Sequence, residues 1–326
     1  MQRVLVTGGT GFIARWCIVQ LLGQGYEVRT TVRSLGREGD VRVALAEVVD
    51  AGERLEVVAA DLLDDAGWDA AVDGCRYVLH PASPLGGTGE AELIATARDG
   101  ALRVLRAAAA AGDVDRVVLT SAANTASHTD YREPGVTDES LWTDADAPAL
   151  DAYRRSKTLA ERAAWDFAGA HPATELVTVL PGAVFGPILG TDNIGSVDVI
   201  GRLLRGEVPE VPRIGLEVVD VRDVADAHVR AMTAPAAAGQ RYLATGDLLW
   251  LTDIARLLHD ELGPDAARVS TVELPDSDEL AAVLPGIGRR NTHTTAKARE
   301  QLGWTPRPGV EAVLDCARSL VAHGVV

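Results

Sequence analysis

Val4-Leu5-Val6-Thr7-Gly8-Gly9-Thr10-Gly11-Phe12-Ile13-Ala14 is the stretch that decides how this chain folds. A short apolar run passes straight into a glycine turn and then into a segment with helical apolar spacing, 12–23. Strand, tight turn and helix in that order predict the first unit of a parallel sheet whose turn cradles a phosphate. Gly8 permits the turn, Gly11 lets backbone approach an anion, and the small Ala14 lets helix and strand pack closely. The helix beginning at Phe12 turns unpaired N–H groups and a positive dipole end toward that anion. Thr10, Phe12 and Ile13 complete the contacts expected of this loop.

Outward from this unit, β-branched runs alternate with helical patterns over the first 180 or so residues, the signature of crossover units in a parallel sheet. Strands are expected at 3–7, 27–32, 56–60, 77–80, 116–120, 175–180 and 218–221, and helices at 12–23, 93–111, 153–170, 224–232, 252–262 and 295–302. The inner strands are nearly all apolar, as strands covered on both faces must be. The alanine run 107–111 ends a helix-period segment at Gly112, so it reads as helix and not linker. After Pro181 the texture changes to short segments punctuated by Gly and Pro. The expectation is an α/β fold, a Rossmann-type doubly wound parallel sheet. Residues 1–182 plus about 213–245 would form it, and about 183–212 and 246–326 a smaller, discontinuous substrate lobe.

The end of the second strand reads Thr30-Thr31-Val32-Arg33-Ser34, with Arg37 close behind. Sites that select NAD place an acidic residue there, on the ribose 2′-hydroxyl. A guanidinium at Arg33 suits a 2′-phosphate instead, since it pairs bidentately with an anion that a carboxylate would repel. NADPH/NADP+ is therefore the expected cofactor. Asp61-Leu62, closing the third strand, lies where an adenine edge would be met. Pro81, Ala82 and Ser83 follow the fourth strand at the carboxyl edge of the sheet, where ligands of open α/β sheets bind. His80, beside them, reads as structural. Thr120 at the end of the fifth strand, and Pro181, Gly182 and Val184 after the sixth, complete the expected cofactor contacts.

Tyr153-Arg154-Arg155-Ser156-Lys157 opens a helix and puts Tyr153 and Lys157 at i and i+4 on one face. A phenol with a pKa near ~10 is a weak acid at neutral pH, and a neighbouring ammonium favours its ionised form. Tyr153 can then donate a proton to a carbonyl oxygen as hydride reaches the carbon. Lys157 can lower its pKa and hold the nicotinamide ribose.

Thr7-Gly8-Gly9-Thr10-Gly11-Phe12-Ile13, Arg33, Asp61-Leu62, Tyr153 to Lys157, Leu159 to Trp165 and Val219-Asp220-Val221-Arg222-Asp223-Val224-Ala225 together resemble an extended short-chain dehydrogenase/reductase. Within that superfamily the chain is most similar to the dihydroflavonol reductase, cinnamoyl-CoA reductase and yeast methylglyoxal/carbonyl reductase group. The likeness runs through Asp138-Glu139-Ser140-Leu141-Trp142 to Leu302-Gly303-Trp304. It implies a seven-stranded sheet, a smaller C-terminal lobe, and reversible hydride transfer from NADPH to an aldehyde or ketone. It also implies a pocket lined by Ser83, Leu85, Ala122, Ser127 and Phe185. The chain departs from the group at one place. The fifth strand of the group ends Thr-Ser-Ser, whereas this chain reads Thr120-Ser121-Ala122. Ala122 stands where the catalytic serine is expected, and Ser121, one residue early, points to the other side of the strand unless a bulge re-aims it. Ser121, Asn124 and Thr125 are the candidate replacements.

The missing hydroxyl motivates a C=N substrate as an alternative to C=O, because an iminium needs no proton on oxygen. Two other readings are an epimerase or hydroxysteroid dehydrogenase, which Arg33 disfavours, and a non-enzymatic NADP-binding sensor, which the Tyr153–Lys157 pair disfavours. A formal charge of −16 excludes nucleic acid and anionic membrane as expected partners. There is no run of about 18 apolar residues to span a bilayer and no metal-ligand spacing. Cys17, Cys75 and Cys316 are sparse and scattered. They suit a reducing compartment, so a cytoplasmic protein is expected, as monomer or homodimer.

Overall fold

The computed structural model describes residues 2–84, 89–129, 135–192, 195–277, 280 and 286–326. Seven parallel strands form the main sheet, in the order Arg241–Ala244, Glu175–Pro181, Arg116–Thr120, Tyr77–His80, Arg3–Val6, Glu27–Val32, Leu55–Ala59. The order reverses beside Arg3–Val6, so the crossovers on its two sides run in opposite directions and leave a crevice at the carboxyl ends of the strands. That crevice positions everything below.

Both faces of the sheet are covered. On one, helix Phe12–Gly23 packs beside Val221–Thr233, and Ile18, Leu21, Leu22, Val224 and Met232 bury against Val4, Val6 and Val177. On the other, Glu90–Ala111 lies along Ala152–Ala170, with Val104, Leu105, Ala108 and Ala164 over Leu5, Val78 and Val117. The alanines of the first of these helices allow that close approach. It stops where Gly112 turns left-handed at φ 76°.

A second core, including Phe185, Ile188, Ile200, Leu203, Leu258, Val313 and Leu320, gathers the later segments. It sits against a three-stranded sheet in which Gly215–Asp220 pairs parallel with Ala183–Phe185 and antiparallel with Asp247–Trp250. The seventh strand of the main sheet, Arg241–Ala244, was not singled out by sequence pattern. Its buried arginine disguises it: Arg241 pairs with Glu161 at 2.8 Å, and its guanidinium lies 3.7 Å from the Trp142 ring centroid. Two distant stretches noted above also meet. The Trp304 indole donates to the Asp223 carbonyl (2.8 Å), and Arg307 pairs with the Asp223 carboxylate (2.9 Å).

Two buried histidines packed at the sheet have partners. His228 contacts the Val224 carbonyl through Nδ1 (2.7 Å) and the Thr120 hydroxyl through Nε2 (2.6 Å). His80 contacts the Thr7 hydroxyl at 2.7 Å. Burial keeps both rings neutral, pulling His80 down to about 3, with help from the Lys157 charge, and His228 to about 4. Cys17, Cys75 and Cys316 are buried and unpaired. Among the described residues no helix is long and apolar enough to cross a membrane.

The Arg241–Glu161 pair is buried, so removing one partner strands a charge in the core. Arg241→Leu is expected to cost about 3–5 kcal/mol, read as a lower urea midpoint at unchanged slope.

Candidate functional site

One cavity of about 1130 Å³ runs along the crevice, large enough for a dinucleotide and a small second ligand. The glycine turn forms one end. Gly8 has φ 70°, and a Cβ there would lie 2.9 Å from that of Ala82. A Cβ on Gly9 would come within 2.5 Å of the Thr30 hydroxyl. No side chain larger than hydrogen fits either place. Thr31 pins the loop, its hydroxyl accepting from Gly8 N (2.9 Å) and its carbonyl from Gly9 N (2.8 Å). Helix Phe12–Gly23 then starts with no side-chain cap and no acidic residue in its first turn. Its amino end is thus left to an anion.

Thr10, Gly11, Phe12 and Ile13 line the same wall, followed by Arg33 and Arg37. Arg33 is exposed and has no ion-pair partner among the described residues. Arg37 contacts both Asp40 and Asp192. Asp61 and Leu62 also line the cavity. The Asp61 carboxylate accepts from Leu63 N (3.0 Å), while Trp68 donates to the carbonyls of Asp61 (3.1 Å) and Asp64 (3.0 Å). Pro81, Ala82, Ser83, Thr120, Pro181, Gly182 and Val184 continue the lining toward Tyr153 and Lys157. The residues present fit a dinucleotide with a phosphorylated ribose: a glycine cradle, an uncapped helix end and cationic side chains at the second strand.

Helix Ala152–Ala170 carries the catalytic candidates. Asp151 caps it by accepting from Arg154 N (2.9 Å). The Arg154 guanidinium donates to the carbonyls of Thr129 and His128 (3.0 and 2.9 Å), and Arg155 to those of Ala145 and Ala147 (3.0 and 2.8 Å). Arg154 and Arg155, between Tyr153 and Lys157, thus bolt the helix to the segments at 128–129 and 145–147. Lys157 is buried, with Nζ 5.9 Å from the Tyr153 ring centroid. Burial, with the Asp151 charge, pushes the Tyr153 phenol up to about 12. Sequence reasoning expected the ammonium to lower it; in the structure burial raises it instead. Burial brings Lys157 down to about 8 against the opposing charge of Glu161.

Ala122 faces the cavity with no hydroxyl. The Ser121 hydroxyl donates to Glu161 Oε2 at 2.6 Å, and that of Thr125 lies 2.6 Å from the same oxygen. Both hydroxyls are therefore committed to a buried carboxylate. Asn124 also lines the cavity, and its Oδ1 is buried with no hydrogen-bond partner among the described residues.

At the substrate end Ser83 and Ser127 line the wall, whereas Leu85 lies outside the described residues. Phe185 needs correction. It is 1% exposed and belongs to the second core, because neighbouring strand side chains alternate and Val184 is the one that faces the cavity. Sequence reading missed Glu217, Arg289, Asn291 and His293, which arrive from the later segments. His293 Nε2 contacts Ser127 Oγ (2.9 Å), its backbone N–H donates to Glu217 Oε1 (2.8 Å), and its Nδ1 meets Glu217 Oε2. No local motif marks this serine–histidine–carboxylate chain, since its members lie 90 and 76 residues apart (217−127 and 293−217).

A family profile described as the NAD dependent epimerase/dehydratase family matches residues 4–244. The chain is 34% identical to tetraketide alpha-pyrone reductase 1 of Arabidopsis thaliana, covering 99% of this chain and 96% of that protein. With dihydroflavonol 4-reductase of Zea mays it shares 35% identity over 79% of this chain and 73% of the relative. Among solved structures, Gre2 of Candida albicans in complex with NADPH superposes with a TM-score of 0.83 at 27% identity, covering 99% of both chains. Yeast methylglyoxal/isovaleraldehyde reductase Gre2 shares the fold at a TM-score of 0.84 and 23% identity, with 100% of both chains covered. With a profile match over most of its length, a cradle of the required geometry and relatives above one-third identity, the chain belongs to the NAD dependent epimerase/dehydratase family of extended short-chain dehydrogenases/reductases, alongside its dihydroflavonol and cinnamoyl-CoA reductases.

Proposed function

We propose that this protein is an NADPH-dependent reductase that converts an aldehyde or ketone to its alcohol, reversibly. The observation that carries this reading is the placement of Tyr153 and Lys157 on the same cavity as the glycine cradle and Arg33. Reductases of carbonyl compounds among the relatives, and NADPH in the Candida albicans Gre2 complex, support it. NADPH, when bound, supplies the hydride. Arg33 and Arg37 would meet the 2′-phosphate and the amino end of helix Phe12–Gly23 the pyrophosphate. Lys157, cationic below about pH 8, would hold the ribose hydroxyls and bias the nearby phenol. Tyr153, held protonated by burial, is in the form that donates a proton to a carbonyl oxygen. We assign the substrate lobe to about 183–212 and 246–326, and the location to the cytoplasm, in line with the buried free thiols. A monomer or homodimer fits the chain.

Ala122 favours one second reading. With the Ser121 and Thr125 hydroxyls both bonded to Glu161, neither is free to assist Tyr153, a loss worth roughly 10²–10³ in rate for an oxyanion. An imine, already charged when protonated, needs that donor less.

NADPH oxidation over a panel of ketones, aldehydes and cyclic imines tests the choice: turnover on carbonyls is expected, and activity on imines alone would reverse the assignment. Tyr153→Phe should cut carbonyl turnover by about 10²–10⁴-fold with NADPH affinity little changed in fluorescence titration. Turnover should decline as pH rises through about 8, where Lys157 loses its charge, and Lys157→Arg should move that decline upward. Arg33→Ala should weaken NADPH while sparing NADH; a tenfold preference of the unmodified protein for NADH would end the cofactor assignment. Ala122→Ser should raise carbonyl turnover, and an unchanged or lower rate would show that Ala122 does not stand at the serine position.

A further inference from the structure

Paired with Arg37, at the end of the cavity assigned here to the 2′-phosphate, stands a carboxylate that the proposed reaction does not use. Asp192 lies in the segment that leaves strand Ala183–Phe185, far in sequence from the second strand. Its Oδ1 accepts from Arg15 Nη2 at 2.7 Å and its Oδ2 pairs with Arg37 Nη2. Arg15 is only 2% exposed. Its other terminal nitrogen donates to the Leu189 carbonyl, and a Cβ on Gly190 would come within 2.9 Å of that nitrogen, so the 189–192 loop is moulded around Arg15. The carboxylate is therefore held in place before any ligand arrives. Partial burial opposes its charge, yet the hydrogen bonds and charges of Arg15 and Arg37 keep it below the usual carboxylate range.

Arg37 has its Nε on Asp40 and one terminal nitrogen on Asp192. In this cluster of four, two arginines cancel two aspartates. A phosphate dianion approaching Arg37 meets a guanidinium already neutralised by carboxylates, with exposed Arg33 beside it as the cation not so engaged.

We propose that Asp192 is a built-in competitor of the cofactor's 2′-phosphate for Arg37, surrendering the guanidinium as NADPH binds and reclaiming it as NADP+ leaves. The inference rests on the reading that Arg37 meets the 2′-phosphate. Asp192 thereby lowers affinity for the phosphorylated cofactor and speeds its exchange, and has no such effect on NADH, which lacks the phosphate. The competitor also belongs to the chain segment whose Gly195 and Ser196 line the cavity near Val184, where Ser196 Oγ donates to the Val184 carbonyl at 2.6 Å.

The test measures Kd for NADPH and for NADH by fluorescence titration, with NADPH release by stopped flow, in the full chain, Asp192→Asn, Arg37→Ala and the double variant. The Asp192→Asn change keeps an amide oxygen for buried Arg15, and Asp192→Ser serves as a second variant should the first fail to fold. Removing the carboxylate should tighten NADPH by about 3- to 10-fold, the size of one partly exposed ion pair. Release should slow by a similar factor, with NADH unmoved. In the Arg37→Ala background the same substitution should do nothing, since the contested group is gone. Weaker NADPH binding would make Asp192 a brace for Arg37 and overturn the proposal. No change, or an equal change for both cofactors, would overturn it too. An Arg37→Ala protein with an unaltered NADPH-to-NADH ratio would instead strike the assignment of Arg37 to the 2′-phosphate, a separable failure.

Discussion

The site depends first on one buried carboxylate. Glu161 lies two helical turns after Tyr153 and one after Lys157, and its oxygens reach Arg241 (2.8 Å), Thr178 (2.9 Å), Ser121 (2.6 Å) and Thr125 (2.6 Å). Through it the helix bearing Tyr153 is tied to three adjacent strands of the sheet and to the loop that faces the cavity. Such an ion pair adds little net stability over an apolar core, because desolvation consumes the attraction. Its worth here is positional. With its oxygens so engaged, the helix has one rotation and one height on the sheet, and the phenol inherits both.

The same carboxylate explains a chemical oddity. A serine at the end of the fifth strand lines the cavity beside Ala122, yet its hydroxyl is spent on Glu161. One position early, just past the strand end at Thr120, the hydroxyl is within 2.6 Å of the buried carboxylate and becomes a structural group. Lys157 and Tyr153 then share the cavity with an alanine at position 122. The polar chain of Ser127, His293 and Glu217 lies along the same wall, outside the motifs that define the superfamily.

Much of this was legible from residues alone. The glycine turn, the arginine after the second strand and the tyrosine–lysine spacing are local patterns, and local patterns survive without coordinates. Six of the strands of the main sheet announced themselves through their short apolar, β-branched runs. The seventh did not, since Arg241 makes a four-residue strand look like surface until its partner Glu161, 80 residues earlier, is brought beside it. Phe185 was misplaced for a related reason: which face of a short strand looks inward depends on a neighbouring lobe that leaves no trace in the local sequence. Glu217 and His293 were invisible as site residues because the wall they share is assembled from separate segments.

The three cysteines carry a consequence for the reductase proposed above. Conjugated ketones alkylate thiolates and aldehydes add to them reversibly, so an exposed low-pKa cysteine would be a target of such compounds. Here burial pushes Cys75 up to about 11, Cys316 up to about 12 and Cys17 higher still. None presents a sulfur anion to solvent. Burial thus shields all three sulfurs from electrophiles in solution.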